Sequence, residues 1–237
     1  MLNIRFVILA IVLSSIINCA KAQIAVGLEG GAGVNYLQTN ISNLSYTNLE
    51  TLGGFDINGI VRYNLNKTFF VSSGISYLQK NYALVRTENY QGIFQQTINT
   101  YIQIPEMISI QKGNKRMSYF ISAGLYQAYW IEGKLKGSIP NIYSVSDVNV
   151  NNQTSESFDL TGYDEKYVFN SQKDKRFEFG VAFNAGTNYF LSKSNFLSVE
   201  INLYNSLTDQ QKNYMINQRP RLNRTVTFSV GCFHEFN

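Results

Sequence analysis

From Arg176 to Tyr189 the side chains alternate with a period of two. Phe177, Phe179, Val181, Phe183, Ala185, Thr187 and Tyr189 fall on one face, and Arg176, Glu178, Gly180, Ala182, Asn184, Gly186 and Asn188 on the other. A strand sends successive side chains to opposite faces, so this run reads as a strand with one oily side and one polar or small side. The same pattern recurs over Phe196–Asn205 and Arg221–Phe236. Nearer the start it recurs from Ile24, from Phe55 to Asn64 and from Phe69 to Tyr77. Amphipathic helical stripes are missing, and after residue 22 no apolar stretch is long enough for a spanning helix.

Two further segments are less regular. Thr97–Ile110 carries Ile98, Ile102, Ile104, Ile108 and Ile110 on one face, interrupted by Glu106, and Pro105 removes a ladder donor, which suggests an edge or a bulge. Met117–Trp130 is mixed on both faces and reads as a strand from its length and its Tyr, Phe and Ile content. The expectation is therefore an all-β fold, an eight-stranded antiparallel up-and-down transmembrane β-barrel. Short turns are expected near 64–67, 112–115 and 192–195. Longer loops are expected near 37–52, 83–96, 132–172 and 208–219. Short turns at one end and long loops at the other are the asymmetry of an outer-membrane barrel.

Alternation alone leaves the outward face open, because a soluble lipocalin-like ligand binder also alternates, with its oily face inward. Three features favour the membrane orientation. Glycines crowd the polar face, at Gly31, Gly33, Gly74, Gly180, Gly186 and Gly231. Both signs of charge lie there: Glu29, Asp56, Arg62, Arg176, Glu178 and Glu200 form an expected structural charge network in the barrel interior, where enclosed charges need partners. The oily runs match a tilted bilayer crossing of roughly 9–11 residues, with aromatics toward their ends.

The first 22 residues read as a secretory signal peptide. Arg5 leads an apolar run over Phe6–Ile17, and Ala20-Lys21-Ala22 forms a small-x-small cleavage site, so the barrel domain would occupy 23–237. The alternative is a lipoprotein modified at Cys19. The chain has 237 residues, 15% of them charged, with a net charge of +4. The basic residues do not gather into a stripe, so no nucleic-acid partner is expected. Two cysteines and one histidine exclude a disulfide-dense scaffold and a conventional zinc site.

The segment Gly27-Leu28-Glu29-Gly30-Gly31-Ala32-Gly33, the run Phe70-Val71-Ser72-Ser73-Gly74-Ile75-Ser76-Tyr77, the segment Tyr101-Ile102-Gln103-Ile104-Pro105 and the run Phe120-Ile121-Ser122-Ala123-Gly124 occur in an order and spacing that resembles one family. It is the small outer-membrane β-barrel family of Bacteroidetes bacteria, the PorT-like or outer membrane protein beta-barrel domain proteins. The resemblance runs from Gln23 to Asn237. The family usually continues its Ile-Pro with aliphatic residues, and Glu106 stands in that place here. The resemblance implies residence in the cell outer membrane and little about activity.

Candidate chemistry is sparse. His234 is the only histidine, and Thr227, Ser229 and Glu235 near it in sequence do not single out a hydrolase arrangement. The loop 132–172 is the longest and carries Tyr143, Asp147, Glu156, Asp159, Tyr163, Asp164, Glu165 and Tyr167, a surface suited to a partner. Its alternative reading is a mobile loop or additional β structure above the membrane. Its aspartates do not follow a calcium-loop spacing. The reading is a non-enzymatic outer-membrane protein with a structural or surface-interaction role. It has outer-membrane lipid around it, an extracellular or cell-envelope protein as candidate partner, and no cofactor or metal. The alternatives are a narrow channel or secretion-machinery component, a lipid-modifying enzyme, and the soluble ligand binder.

Overall fold

The computed structural model describes residues 23–39, 46–150 and 153–236. The expected signal peptide, with Cys19, lies outside the described residues. Among the described residues, ten antiparallel strands form one sheet: β1 (Ile24–Gln38), β2 (Thr47–Asn64), β3 (Phe69–Gln79), β4 (Tyr82–Arg86), β5 (Phe94–Gly113), β6 (Met117–Val150), β7 (Gln153–Lys166), β8 (Phe177–Phe190), β9 (Asn195–Ser206) and β10 (Leu222–Phe236). The expected count of eight and the plain up-and-down order are both corrected. Two of the segments read as loops contain strands. β4 sits between the upper parts of β2 and β5, through Glu50↔Ala83 and Ala83↔Gln96. β7 pairs with the far half of β6, from Lys134↔Lys166 outward. The result is a barrel-like sheet in which β1 lies between β2 and β10, so the first and last strands adjoin.

Orientation follows the alternation. Leu28 is 72% exposed while its neighbour Glu29 is 3% exposed. Ile57, Val61, Phe183, Ile201 and Phe228 point outward, and Asp56, Arg62, Glu200, Thr227 and Ser229 are buried. A polar inside and an apolar outside is the membrane arrangement and the reverse of a water-soluble cup. Glycine makes room for the interior groups. A Cβ at Gly27 would overlap the Phe233 ring, and one at Gly231 would overlap the Glu29 side chain.

Both irregular strands now have a facing. On β5, Ile104, Ile108 and Ile110 are exposed, and Glu106 shares their side. Pro105 is neither at an edge nor in a bulge. It lies mid-strand between β3 and β6, paired with Tyr126, and the β3 ladder omits Gly74 and Ile75 opposite it. The bulge falls instead at Thr100/Tyr101, against β6. On β6, Tyr119, Ile121, Leu125 and Tyr129 face outward, and Phe120, Tyr126 and Trp130 inward.

The three short turns lie at the same end as the strand ends Ile24 and Phe236. Each is held by a side chain that accepts backbone N–H groups. Asn66 Oδ1 accepts from Thr68 and Phe69, both at 2.8 Å, and Asn114 Oδ1 accepts from Arg116 and Met117, both at 2.9 Å. Ser192 Oγ accepts from Ser194 at 3.2 Å and Asn195 at 3.0 Å. Asn and Ser compete well for such local bonds, which is why the chain reverses there.

Candidate functional site: the filled interior and the projecting hairpin

Near the turn end, Arg62 of β2 reaches into the sheet's concave side. Its guanidinium forms ion pairs with Glu29, at 3.4 Å, and with Glu200. It also donates to Asn188 Oδ1 at 2.9 Å and to Ser198 Oγ at 3.0 Å. Four phenylalanine rings surround it, with Phe233 nearest at 3.9 Å from the ring centre and Phe120, Phe70 and Phe196 between 5.1 and 5.6 Å. A guanidinium is planar and weakly hydrated, so it tolerates this mixture of carboxylates and aromatic faces. Asp56 stands beside the group, and its Oδ2 accepts from Asn58 at 2.7 Å and from Ser229 at 2.8 Å. Glu29 Oε2 and Asp56 Oδ1 have no hydrogen-bond partner among the described residues, where the guanidinium pairs with Glu29 and Glu200 and not with Asp56. Below Arg62 a vestibule of about 650 Å³ opens at the turn end, flanked by Lys67, Lys115 and Glu235.

A second layer centres on Lys80, which is 0% exposed. Its Nζ lies 2.5 Å from Glu178 Oε1 and donates to Gln103 Oε1 at 3.1 Å. Tyr126 donates to the same Glu178 oxygen at 2.8 Å, and Asn223 donates to the other at 2.6 Å. The rings of Tyr101 and Tyr126 each lie 4.8 Å from the ammonium. Glu178 thus has donors at both oxygens, the condition for burying a charge without a large penalty.

Aromatic rings cover this layer toward the loop end. Trp130 stacks between Tyr101, at 6.1 Å, and Tyr167, at 5.3 Å, with Phe169 edge-on at 4.8 Å. The segment from Tyr167 to Arg176 is pinned over them by Tyr167 N to Gly133 O and by Trp130 N to Arg176 O, each 2.8 Å. Tyr167 also donates its hydroxyl to Asp174 at 2.8 Å.

Of the six expected interior charges, Glu29, Asp56, Arg62 and Glu200 gather in the first layer, and Glu178 belongs to the second. Arg176 is the exception. It is half-buried at the loop end, donates Nε to Trp130 O at 2.8 Å, and lies over the rings of Phe169 and Tyr129. Its strand begins only at Phe177, so the alternation that places Glu178 inside does not yet govern it. Sequence reasoning missed Lys80. Continuing the inward set of β3 past Ser76 to Leu78 and Lys80 finds it.

The expected loop 132–172 is mostly hairpin, built from β6 and β7. Tyr143 is 92% exposed there. Asp164 forms an exposed ion pair with Lys134 at 2.9 Å, and Tyr163 donates to Gln95 at 3.3 Å. Asp159 is exposed, and Tyr167 belongs to the aromatic cover rather than to the free surface. The side chains of Asp147 and Glu156 lie outside the described residues. Among the described residues no group of three or more His, Cys, Asp and Glu side chains is placed to hold a metal. His234 Nδ1 pairs with Asn195 Oδ1 at 2.8 Å on the outer face, whereas Ser229 is buried against Asp56. The two cannot act together.

Residues 19–211 match the family described as outer membrane protein beta-barrel domain. The chain belongs to this family. It is a protein of the cell outer membrane, and the apolar outer face described above is its lipid-facing surface. No curated relative matches the chain. Several solved structures are similar at low identity. Ail, the attachment invasion locus protein of Yersinia pestis, is 13% identical with a TM-score of 0.40, over 90% of this chain and 99% of that one. Neisserial surface protein A is 10% identical with a TM-score of 0.45, over 91% and 99%. OprG from Pseudomonas aeruginosa is 8% identical with a TM-score of 0.48, over 91% and 95%.

Proposed function

We propose that this outer-membrane protein is non-enzymatic and that it presents the β6–β7 hairpin as an interaction surface for an extracellular or cell-envelope protein. One observation carries the reading. β6 makes its last pair with β8 at Tyr129↔Phe177 and with β5 at Phe94↔Ser138, yet continues to Val150 with β7 as its only strand partner among the described residues. Beyond Ser138, at about 3.3 Å per residue, that is roughly 40 Å of extended chain held on a rigid base. It leaves from the loop end, which faces outward in outer-membrane barrels. Exposed Tyr143, Ile139 and Leu160 give it apolar contact points. The two packed charge layers argue against a wide solute pore.

The test replaces residues 141–158 with a short glycine linker. The shortened protein keeps its different gel mobility with and without boiling, the signature of a folded barrel. A photo-crosslinker at position 143 captures an envelope or extracellular protein in living cells, and the adduct is lost when the rest of the tip is replaced around it. Absence of any adduct, or an adduct indifferent to the tip sequence, overturns the proposal.

A further inference from the structure

The lipid-facing surface carries a polar spot that neither the charge layers nor the hairpin explains. Glu106 points outward from the middle of β5, with exposed Ile104 on one side and Ile108 and Ile110 on the other. It is therefore flanked by apolar positions in both directions along the strand, away from either rim. Across the sheet it stands opposite Ser73 of β3 and Leu125 of β6. Gln127, also exposed, lies diagonal to it through the Ile104↔Gln127 pair. None of these three polar side chains has a hydrogen-bond or ion-pair partner among the described residues. A groove of about 540 Å³ runs past Glu106. Val61, Tyr63, Val71, Ile108 and Leu125 flank it, and Ser73, Ala123 and Gly124 form its shallow floor.

An ionisable side chain facing hydrocarbon is costly and calls for a partner. Lipid tails offer no donor, and head groups lie beyond the apolar band. Apolar faces gain little by meeting each other in lipid, so close packing over small residues and hydrogen bonds are what hold membrane proteins together. This patch contains both halves of such a contact. The carboxylate of Glu106 only accepts, and the Gln127 amide and Ser73 hydroxyl donate. A patch with acceptor and donors side by side is self-complementary about a two-fold axis, where residue i meets j and j meets i.

We infer that a second copy of this chain docks on the groove, as an intramembrane two-fold dimer in which Glu106 of each copy accepts hydrogen bonds from Gln127 and Ser73 of the other. The floor of small residues lets the two sheets approach, and the flanking side chains pack around the polar centre. Each hydrogen bond occurs twice, so losing Gln127 or Ser73 removes two contacts and losing Glu106 removes all four.

The experiment uses two differently tagged full-length copies expressed together, each carrying Leu125→Cys with the exposed Cys232 replaced by Ser. Oxidation in native outer membranes is expected to give a disulfide-linked species of twice the mass that contains both tags. Its yield falls by about tenfold or more in Glu106→Leu and, independently, in Gln127→Leu. The unboiled mobility shift of each variant reports that the barrel has folded. A species lacking the second tag, linkage to a different protein, or undiminished linkage in the folded Gln127→Leu variant overturns the dimer.

Discussion

Lys80 and Glu178 stand 98 residues apart in the chain and 2.5 Å apart in space. The pair joins the end of β3 to the start of β8 across the interior and brings Tyr126, Gln103 and Asn223 with it. With Arg62 and its carboxylates nearer the turn end, it leaves the polar core tied at two heights.

Lys80→Met removes the cation and leaves Glu178 buried against neutral donors alone. The expected loss of stability is about 3–5 kcal/mol. Urea unfolding of the protein refolded into lipid measures it. Adding Glu178→Leu recovers much of the loss, because the second change removes the stranded charge. A double variant as unstable as the single one would mean that the pair is not the source of the effect.

The interior glycines tolerate less than those on the lipid face. Gly27→Ala drives a methyl group into the Phe233 ring that shields Arg62, whereas Gly30 has nothing within 4 Å of a Cβ. Overpacking of this kind costs about 1–3 kcal/mol. Gly30→Ala is expected to unfold at the same urea concentration as the parent, and Gly27→Ala at a lower one.

Wild-type protein in a planar bilayer is expected to give no discrete conductance steps. The guanidinium of Arg62, its carboxylates and four phenylalanine rings occupy one level, and Lys80 with Glu178 and two tyrosines occupy the next. Regular steps, lost in Arg62→Ala, would replace this picture with a gated narrow channel.

Tyr167 lies beyond the strands, in the segment that covers the loop end. Burial, the hydrogen bond it donates to Asp174 and the charge of that carboxylate all push its hydroxyl above the ordinary tyrosine range. A folded-state value raised above the unfolded one stabilises the fold fully below the unfolded value, about 10. That contribution is lost as pH rises through the folded value. The unfolding midpoint is therefore expected to fall with pH above about 10. The fall should be shallower in Tyr167→Phe, which cannot ionise there. Equal slopes for the two proteins would remove Tyr167 from the alkaline transition.

The alternation of residues such as Leu28 with Glu29, and Phe228 with Ser229, separated two faces, and the glycines and charges of both signs on the polar one favoured the other as the face that meets lipid. A period of two is a property of the backbone, so it survives in the sequence as a pattern. The turns at Asn66, Asn114 and Ser192 were legible for a similarly local reason: one side chain closes each of them. Glu29, Asp56, Arg62, Glu178 and Glu200 could be assigned to the inside by parity alone.

Parity says nothing about who meets whom. That Arg62 takes Glu29 and Glu200, while Glu178 takes Lys80, depends on strand registers set by many distant pairs. Lys80 was hidden because it follows the last clear alternation of β3. Arg176 departed from expectation because it precedes the first ladder pair of β8. The extra strands β4 and β7 were read as loops because neither alternates: β4 has only five residues, mostly apolar on both faces, and β7 carries polar side chains on both. For these strands, backbone pairing with β2, β5 and β6 supplies the order. The sequence by itself determined the membrane orientation, because lipid and a crowded interior demand opposite chemistry at alternate residues. Only the tertiary structure decided the strand count, the ion-pair partners and the outward place of Glu106, because those depend on which strands lie side by side and in what register.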